Sequence, residues 1–517
     1  MHTTITTDLA QLYTQFNGAN IRSGGNDIRS VGIAHKTIGG RVTDIPSVVF
    51  HVKSKKPLSE LEKNKIIPKK VIIDGIEYLT DVVEQKEQYR TLNCLSQSGC
   101  YATSIDDYAK DHRKKFRWYP SQCDGNDVVI PGSGNPIQGG ISIGQQSAGI
   151  GTLGCIVQDN VNGKLCALSN SHVLVADAFL ASEKKLLAGR PFTISNIKGK
   201  GVTQPGEVST SNGSLGMPKF NTDYGIGFVK RYVPLYLWNW NAQDQFVYFN
   251  YVDAAISSLV MRTIEKTTIA SGESPVDGLQ PFVLWTDSSK QFNMKFYNSN
   301  TNQYDIEPTE YPFATSAEID ALVIKSSTES GTRVWKSGRT TGFAGKGICD
   351  GAGGEDPNIC QIELLGKNET VQVYGYKFSQ YTVNVIFSNC LKFAYKTLPG
   401  QTKPRPGAIQ GGDSGSVLIA DIEGTKKIIG LNFAGDGTYG FANRIHYLTD
   451  PDGLNIESTS TAGVAFFQEC NYNNPNYSGY YDNPSTWKFR IEQGLSSNKK
   501  ISAGLDGVYY QCGLFNK

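Results

Sequence analysis

A mostly β fold is predicted, on three observations. Glycine (55 residues), tyrosine (26) and phenylalanine (23) are abundant, a mix that suits turns and strands better than long helices. Apolar runs are short and bounded by clusters of Gly, Asn, Asp and Ser, as strands and their turns are. The clearest hairpin signal is Asp159-Asn160-Val161-Asn162-Gly163, which parts strand-like runs at 152–157 and 164–168.

With 517 residues the chain has room for two to four units. Its 39% hydrophobic and 19% charged content suits a globular protein with sizeable cores. A formal net charge of +2 gives no bulk attraction to nucleic acid, so no such partner is expected. No apolar run reaches the length of a membrane-spanning helix, and the first residues lack the basic and apolar regions of a secretory signal. A cytoplasmic protein with no membrane partner is therefore expected. The ten cysteines include no Cys-x-x-Cys pair, so neither zinc nor any other cofactor is expected. Cys155/Cys166 and Cys349/Cys360 have hairpin-like separations that leave bridges open, with reduced buried thiols the preferred reading.

In order along the chain, residues 1–30 are polar and irregular. A small α+β accessory module is expected over 31–86, with strands at 31–35, 46–52 and 70–78 and a short helix at 57–63. The connecting segment 87–138 carries a basic cluster at 112–118, read as a solvated face. A β-rich core follows over 139–445, in two parts (139–260 and 319–445) separated by a polar and aromatic insertion at 262–318. Further strands are expected at 321–324, 333–336, 361–365, 370–374, 383–387 and 427–435, before a Tyr- and Asn-rich extension over 446–517. Gly149-Ile150-Gly151-Thr152-Leu153-Gly154 matches a dinucleotide fingerprint in letters only, because a strand follows it where that motif needs a helix. Gly342-Phe343-Ala344-Gly345-Lys346 lacks the spacing of a phosphate-binding loop.

One stretch stands out chemically: Ile409-Gln410-Gly411-Gly412-Asp413-Ser414-Gly415-Ser416, a serine in a glycine-rich turn that enters an apolar strand. A serine hydroxyl near neutral pH needs an adjacent base to become a nucleophile. Of six histidines (His2, His35, His51, His112, His172 and His446), only His172 directly follows a strand inside the β-rich core. A base in turn needs an orienting carboxylate. Asp253, heading Asp253-Ala254-Ala255-Ile256, is preferred over Asp223, which sits in a turn-like stretch. The order His172, Asp253, Ser414 is that of two-barrel β proteases; α/β-hydrolases run Ser, acid, His.

These residues resemble the trypsin/chymotrypsin-like serine peptidases. Gly412-Asp413-Ser414-Gly415 is similar to their nucleophile loop, Ser169-Asn170-Ser171-His172-Val173-Leu174 to their histidine segment, and Val252-Asp253-Ala254-Ala255-Ile256 to their aspartate strand. The likeness is greatest to bacterial trypsin-like and plant narrow-leaf-type proteins with an N-terminal accessory module. Gly151-Thr152-Leu153-Gly154, Lys336-Ser337-Gly338-Arg339-Thr340-Thr341-Gly342 and Gly430-Leu431-Asn432-Phe433-Ala434-Gly435 resemble theirs too. The resemblance implies two six-stranded barrels, with His172 and Asp253 in the first and Ser414 in the second. It implies an oxyanion hole from the backbone N–H groups of Gly412 and Ser414, and a specificity pocket at Ala408, Phe433, Ala434 and Gly435. With Ala408 at the pocket base, a preference for Lys or Arg is unsupported unless Asp436 restores it. Ile137-Gln138-Gly139-Gly140 looks like an activating new N-terminus, but no basic cleavage site precedes it. Asp413 is then expected to find another partner.

The expected function is a serine endopeptidase acting on protein or peptide substrates. A non-catalytic scaffold on the same fold, or an esterase or autoprocessing enzyme, are the alternatives.

Overall fold

The computed structural model describes residues 4–6, 9, 12, 13, 16, 28–61, 66–91, 140, 142–145, 148–159, 164–175, 200–204, 206, 208–209, 215–216, 225–233, 235, 250–258, 285–286, 292–293, 295–298, 303–306, 312–340, 342–344, 361–378, 381–398, 400–449 and 456–457. The basic cluster 112–118, Asp223, Cys349, Cys360, the 137–139 stretch, most of the insertion and nearly all of the extension lie outside these residues.

The fold is mostly β. At the N-terminal end β1 (Thr4–Thr6), β2 (Ile28–Ile38), β3 (Arg41–Val52), β4 (Lys70–Ile73) and β5 (Ile76–Glu84) form one sheet in the order β1-β4-β5-β3-β2. The run expected at 70–78 is two strands, because Asp74 and Gly75 turn the chain with φ of 49° and 80°. Within the helix expected over 57–63, Leu58–Glu60 forms a 3-10 turn, and residues 62 and 63 lie outside the described residues. The polar N-terminal stretch also takes part: Leu9, Leu12, Tyr13 and Phe16, spaced as one helical face, are buried against Phe50, Val71 and Ile73. After β6 (Arg90–Thr91) the chain enters the first half of the core.

That half contains β7 (Ser142–Gln145), β8 (Gly149–Thr152), β9 (Cys155–Asp159), β10 (Lys164–Ser169) and β11 (Gly201–Thr203). The small pair β12 (Val208–Ser209) and β13 (Leu215–Gly216) stands apart, and β14 (Gly225–Tyr232) and β15 (Ala255–Ser258) complete the sheet. Its order, β9-β10-β15-β14-β11-β7-β8, is a curled seven-stranded half-barrel. The two-barrel β fold expected for the core holds, with this half seven-stranded rather than the six-stranded barrel implied, its sheet left open between β8 and β9 among the described residues. The residues between those strands, Leu153 and Gly154, bend the chain so that one expected strand becomes two. Cys155 and Cys166 are separate buried thiols, and burial pushes the Cys155 thiol up.

In the insertion, β16 (Trp285–Thr286), β17 (Phe292–Asn293), β18 (Lys295–Asn298) and β19 (Gln303–Ile306) form two isolated hairpins. No strand forms at 321–324: the helix Ser316–Ala321 ends there, and 322–324 are irregular. Its start is a capping box: Thr315 Oγ1 accepts from Glu318 N, and the Glu318 carboxylate accepts from Thr315 N.

The second half contains β20 (Arg333–Gly338), β21 (Gly342–Ala344), β22 (Ile362–Phe378), β23 (Tyr381–Tyr395), β24 (Val417–Ile422), β25 (Thr425–Gly435) and β26 (Tyr439–Arg444). The ring β22-β23-β26-β25-β24-β20, closed by pairing of β20 with β22, is an antiparallel six-stranded barrel. The runs expected at 361–365 and 370–374 are one long strand that continues through bulges. β2 pairs with β22 at Ser30↔Val371 and Val31↔Thr370, so the accessory sheet runs into the barrel. β27 (Ile456–Glu457), from the extension, pairs back onto β9.

Core side chains from both halves form one cluster, Val157, Leu168 and Ile256 from the first with Phe393, Leu418 and Leu431 from the second. Each such side chain, fully buried, contributes about 1.5–3 kcal/mol. A seam with that much apolar contact holds polar groups from the two halves in fixed register. Among the described residues, no helix is long and apolar enough to cross a membrane.

Candidate active site

The seam brings His172, Asp253 and Ser414 together. β10 ends at Ser169 and the chain makes one helical turn, Ser171–Leu174, all four residues of which are buried. Three consecutive residues of this corner fasten to the start of β15. Asn170 Nδ2 donates to Asp253 O (2.6 Å), Ser171 Oγ to Ala254 O (2.6 Å) and His172 N to Asp253 Oδ1 (3.2 Å). The His172 ring then spans the gap between the halves. Its Nδ1 is hydrogen-bonded to Asp253 Oδ2, and its Nε2 lies 2.7 Å from Ser414 Oγ. Because the carboxylate only accepts, Nδ1 carries the proton and Nε2 presents a lone pair to the serine hydroxyl.

Two groups of the closed barrel hold Asp253 from the other side. Tyr376, on β22, donates its hydroxyl to Asp253 Oδ2 at 2.7 Å, and its ring packs edge-on against His172. Burial, then the Asp253 carboxylate, pushes the Tyr376 phenol well above its ordinary value, so it stays a donor. Asn443, on β26, accepts from Asp253 N at 2.9 Å.

Ser414 itself has no exposed surface. Its loop is built on two glycines with positive φ, Gly412 (96°) and Gly415 (91°), conformations that other residues adopt only with strain. Thr340 Oγ1 donates to Gly411 O (2.6 Å), and Ser416 Oγ donates to Asp413 O (2.7 Å). A trans peptide points its C=O and N–H in opposite directions. These two bonds therefore turn the N–H groups of Gly412 and Ser414 away from Thr340 and Ser416. The first half supplies the seat: Thr152 N donates to Ser414 O (2.7 Å) and Thr152 Oγ1 to Gly412 O (2.8 Å). Side chains at Gly151 and Gly154 would collide with the carbonyls of Ser414 and Gly415, which explains the glycines of that stretch without a nucleotide.

Asp413 finds its partner on β20. Lys336 Nζ donates to Asp413 Oδ2 at 3.0 Å, both side chains wholly buried. Thr340 N and Gln410 N, each 3.0 Å away, complete the carboxylate. Burial pushes the Lys336 ammonium below its ordinary value, and Asp413 opposes that. Neither Lys336 nor Tyr376 is assigned a role from sequence alone. Strand period two was the available signal for Lys336, since it shares a face with the buried Val334.

The residues expected to form a specificity pocket are close-packed. Ala408 and Ala434 are buried, and Phe433 packs against Phe387, the rings tilted by 51° with centroids 4.5 Å apart. The Asp436 carboxylate accepts from Thr438 N (2.8 Å), Tyr439 N (2.7 Å) and Gln85 Nε2 (2.8 Å). No family model and no curated protein matches this chain.

Proposed function

We propose that the chain is a serine endopeptidase of the trypsin-like two-barrel type, acting on protein or peptide substrates. The observation that carries the reading is the continuous hydrogen-bonded line Ser414–His172–Asp253 across the seam. Ser414 Oγ attacks the peptide carbonyl while His172 Nε2 takes its proton, and Asp253 stabilises the imidazolium that forms. The oxyanion is received by the backbone N–H groups of Gly412 and Ser414, an arrangement worth about 3–4 kcal/mol per donor. His172 returns the proton to the leaving amine, and water, activated by the same base, hydrolyses the acyl-enzyme.

The packing of Ala408, Phe433 and Ala434, and the hold of the Thr438 and Tyr439 N–H groups on the Asp436 carboxylate, favour small or apolar side chains over Lys or Arg at the cleaved position. A peptide library incubated with wild type and Ser414→Ala tests the reading. Cleavage by wild type only is expected. Hydrolysis of simple esters with no peptide cut would move the assignment to an esterase.

A further inference from the structure

One strand of the structure lies where a substrate would have to lie. Along most of its length β25 has β24 on one side and β26 on the other. At Asn432 the β24 side gives way to the nucleophile loop: Gly415 N donates to Asn432 O (2.9 Å), and Asn432 N to Ser416 O (2.9 Å). Beyond that point β26 still covers one side, with Ala434↔Phe441 and Gly435↔Gly440. The other side, running on from the Ser414 loop, is taken by β6, with Ala434↔Thr91 and Gly435↔Arg90. The pairing is antiparallel, so β6 runs in its N-to-C direction toward Ser414. A peptide presenting its acyl carbonyl to Ser414 has to run the same way along that edge.

β6 is held there between two strands, β25 on one flank and β22 on the other. Tyr89 is buried, its ring 4.7 Å from that of Phe441, and its carbonyl accepts from Tyr374 N at 3.0 Å. Since successive residues of a strand face opposite ways, the N–H and C=O of Arg90 point to β25. Gln85 and Gln88 tie the approach to Asp436 (2.8 Å) and Asn384 (3.2 Å). Gly375 has φ 113°, and a side chain there would press on Thr91 Oγ1, so β22 is shaped to receive this segment.

We propose that Arg90–Thr91 is an intramolecular occupant of the peptide-binding edge of β25, so that the chain competes with its own substrate. The edge accepts an extended peptide by strand addition, and the segment between accessory module and core must leave before one binds. Apparent affinity for peptide is then reduced by the fraction of molecules in which the segment is displaced. This rests on the peptidase reading above.

The test uses the full chain and two reagents that react at Ser414. One is a peptidyl boronate long enough to lie along the edge, and the other a small fluorophosphonate with no peptide part. Hydrogen–deuterium exchange over 85–91 should rise on boronate binding and stay unchanged with the fluorophosphonate. Arg90→Pro, which removes the N–H facing β25, should raise kcat/KM for peptides at least tenfold while the fluorophosphonate rate changes less than twofold. Boronate bound at Ser414 with 85–91 still protected would overturn the proposal. So would equal boronate binding and peptide turnover in wild type and Arg90→Pro. If the fluorophosphonate fails to label Ser414 at all, it is the peptidase reading that falls.

Discussion

Two buried carboxylates stand on either side of Ser414, and they are held in different ways. Asp253, from the open half, faces a histidine and a tyrosine hydroxyl. Asp413, from the closed barrel, faces a lysine ammonium and two backbone N–H groups. The first set contains a ring hydrogen-bonded to the serine hydroxyl, the ring that would take its proton in the proposed reaction. The second contains only donors that keep their protons and are fixed to β20 and to the loop itself. On the proposed reading one carboxylate therefore tunes a base, while the other freezes the shape of a turn. If Ser414 is the nucleophile proposed, the difference separates rate from stability around one side chain.

Asp253→Asn breaks the first arrangement and carries the largest expected effect. It favours the wrong His172 tautomer, and peptide turnover should fall about 10⁴-fold. Steady-state kinetics checks this; a loss under tenfold would mean that Tyr376 and the backbone orient the base without the carboxylate. Lys336→Met breaks the second. It strands Asp413 in the core and should cost about 3–5 kcal/mol of unfolding free energy in urea titrations. Adding Asp413→Asn should recover part of that loss. A single variant as stable as wild type would show that Gln410 and Thr340 suffice to hold the loop.

The smallest effect concerns pH, and it comes from the junction with the accessory module. His51 on β3 is buried between Ser30 Oγ and Lys392 Nζ, each 3.0 Å away. Burial, then the Lys392 charge, holds it well below its ordinary value, and His446 is lowered to about 4 by burial. Both are bases with a depressed folded-state pKa, so the unfolded chain binds the extra protons once pH drops below about 6.5. Stability should fall there by up to about 1.4 kcal/mol per pH unit for each histidine. Thermal melts from pH 7 to 5 check this, with His51→Gln expected to flatten the slope by one histidine's share.

How much was legible in the sequence follows from how local each signal is. Ser414 and His172 could be picked out because a glycine-rich turn and the scarcity of histidine are visible within a few residues. Asp253 needed the order of the three along the chain as well. Lys336 reads as an ordinary strand residue and Tyr376 falls between two expected strands, and their partners lie 77 and 123 positions away. β6 is two residues long, too short for any periodicity to show. The helix Ser316–Ala321 is a different case: its Thr315–Glu318 capping box is a local signal, but the expectation rested on the apolar 321–324 run alone. The seven-stranded first half illustrates a further limit: barrel closure depends on which edges meet, and alternation within a strand carries no record of that.

The central claim is that His172, oriented by Asp253, activates Ser414. The most direct test is covalent labelling of the intact protein by a fluorophosphonate, with the modified peptide located by mass spectrometry. The account predicts a single adduct on Ser414 in wild type, and none in His172→Ala over the same period. An adduct elsewhere, or labelling that survives His172→Ala at the wild-type rate, would contradict it.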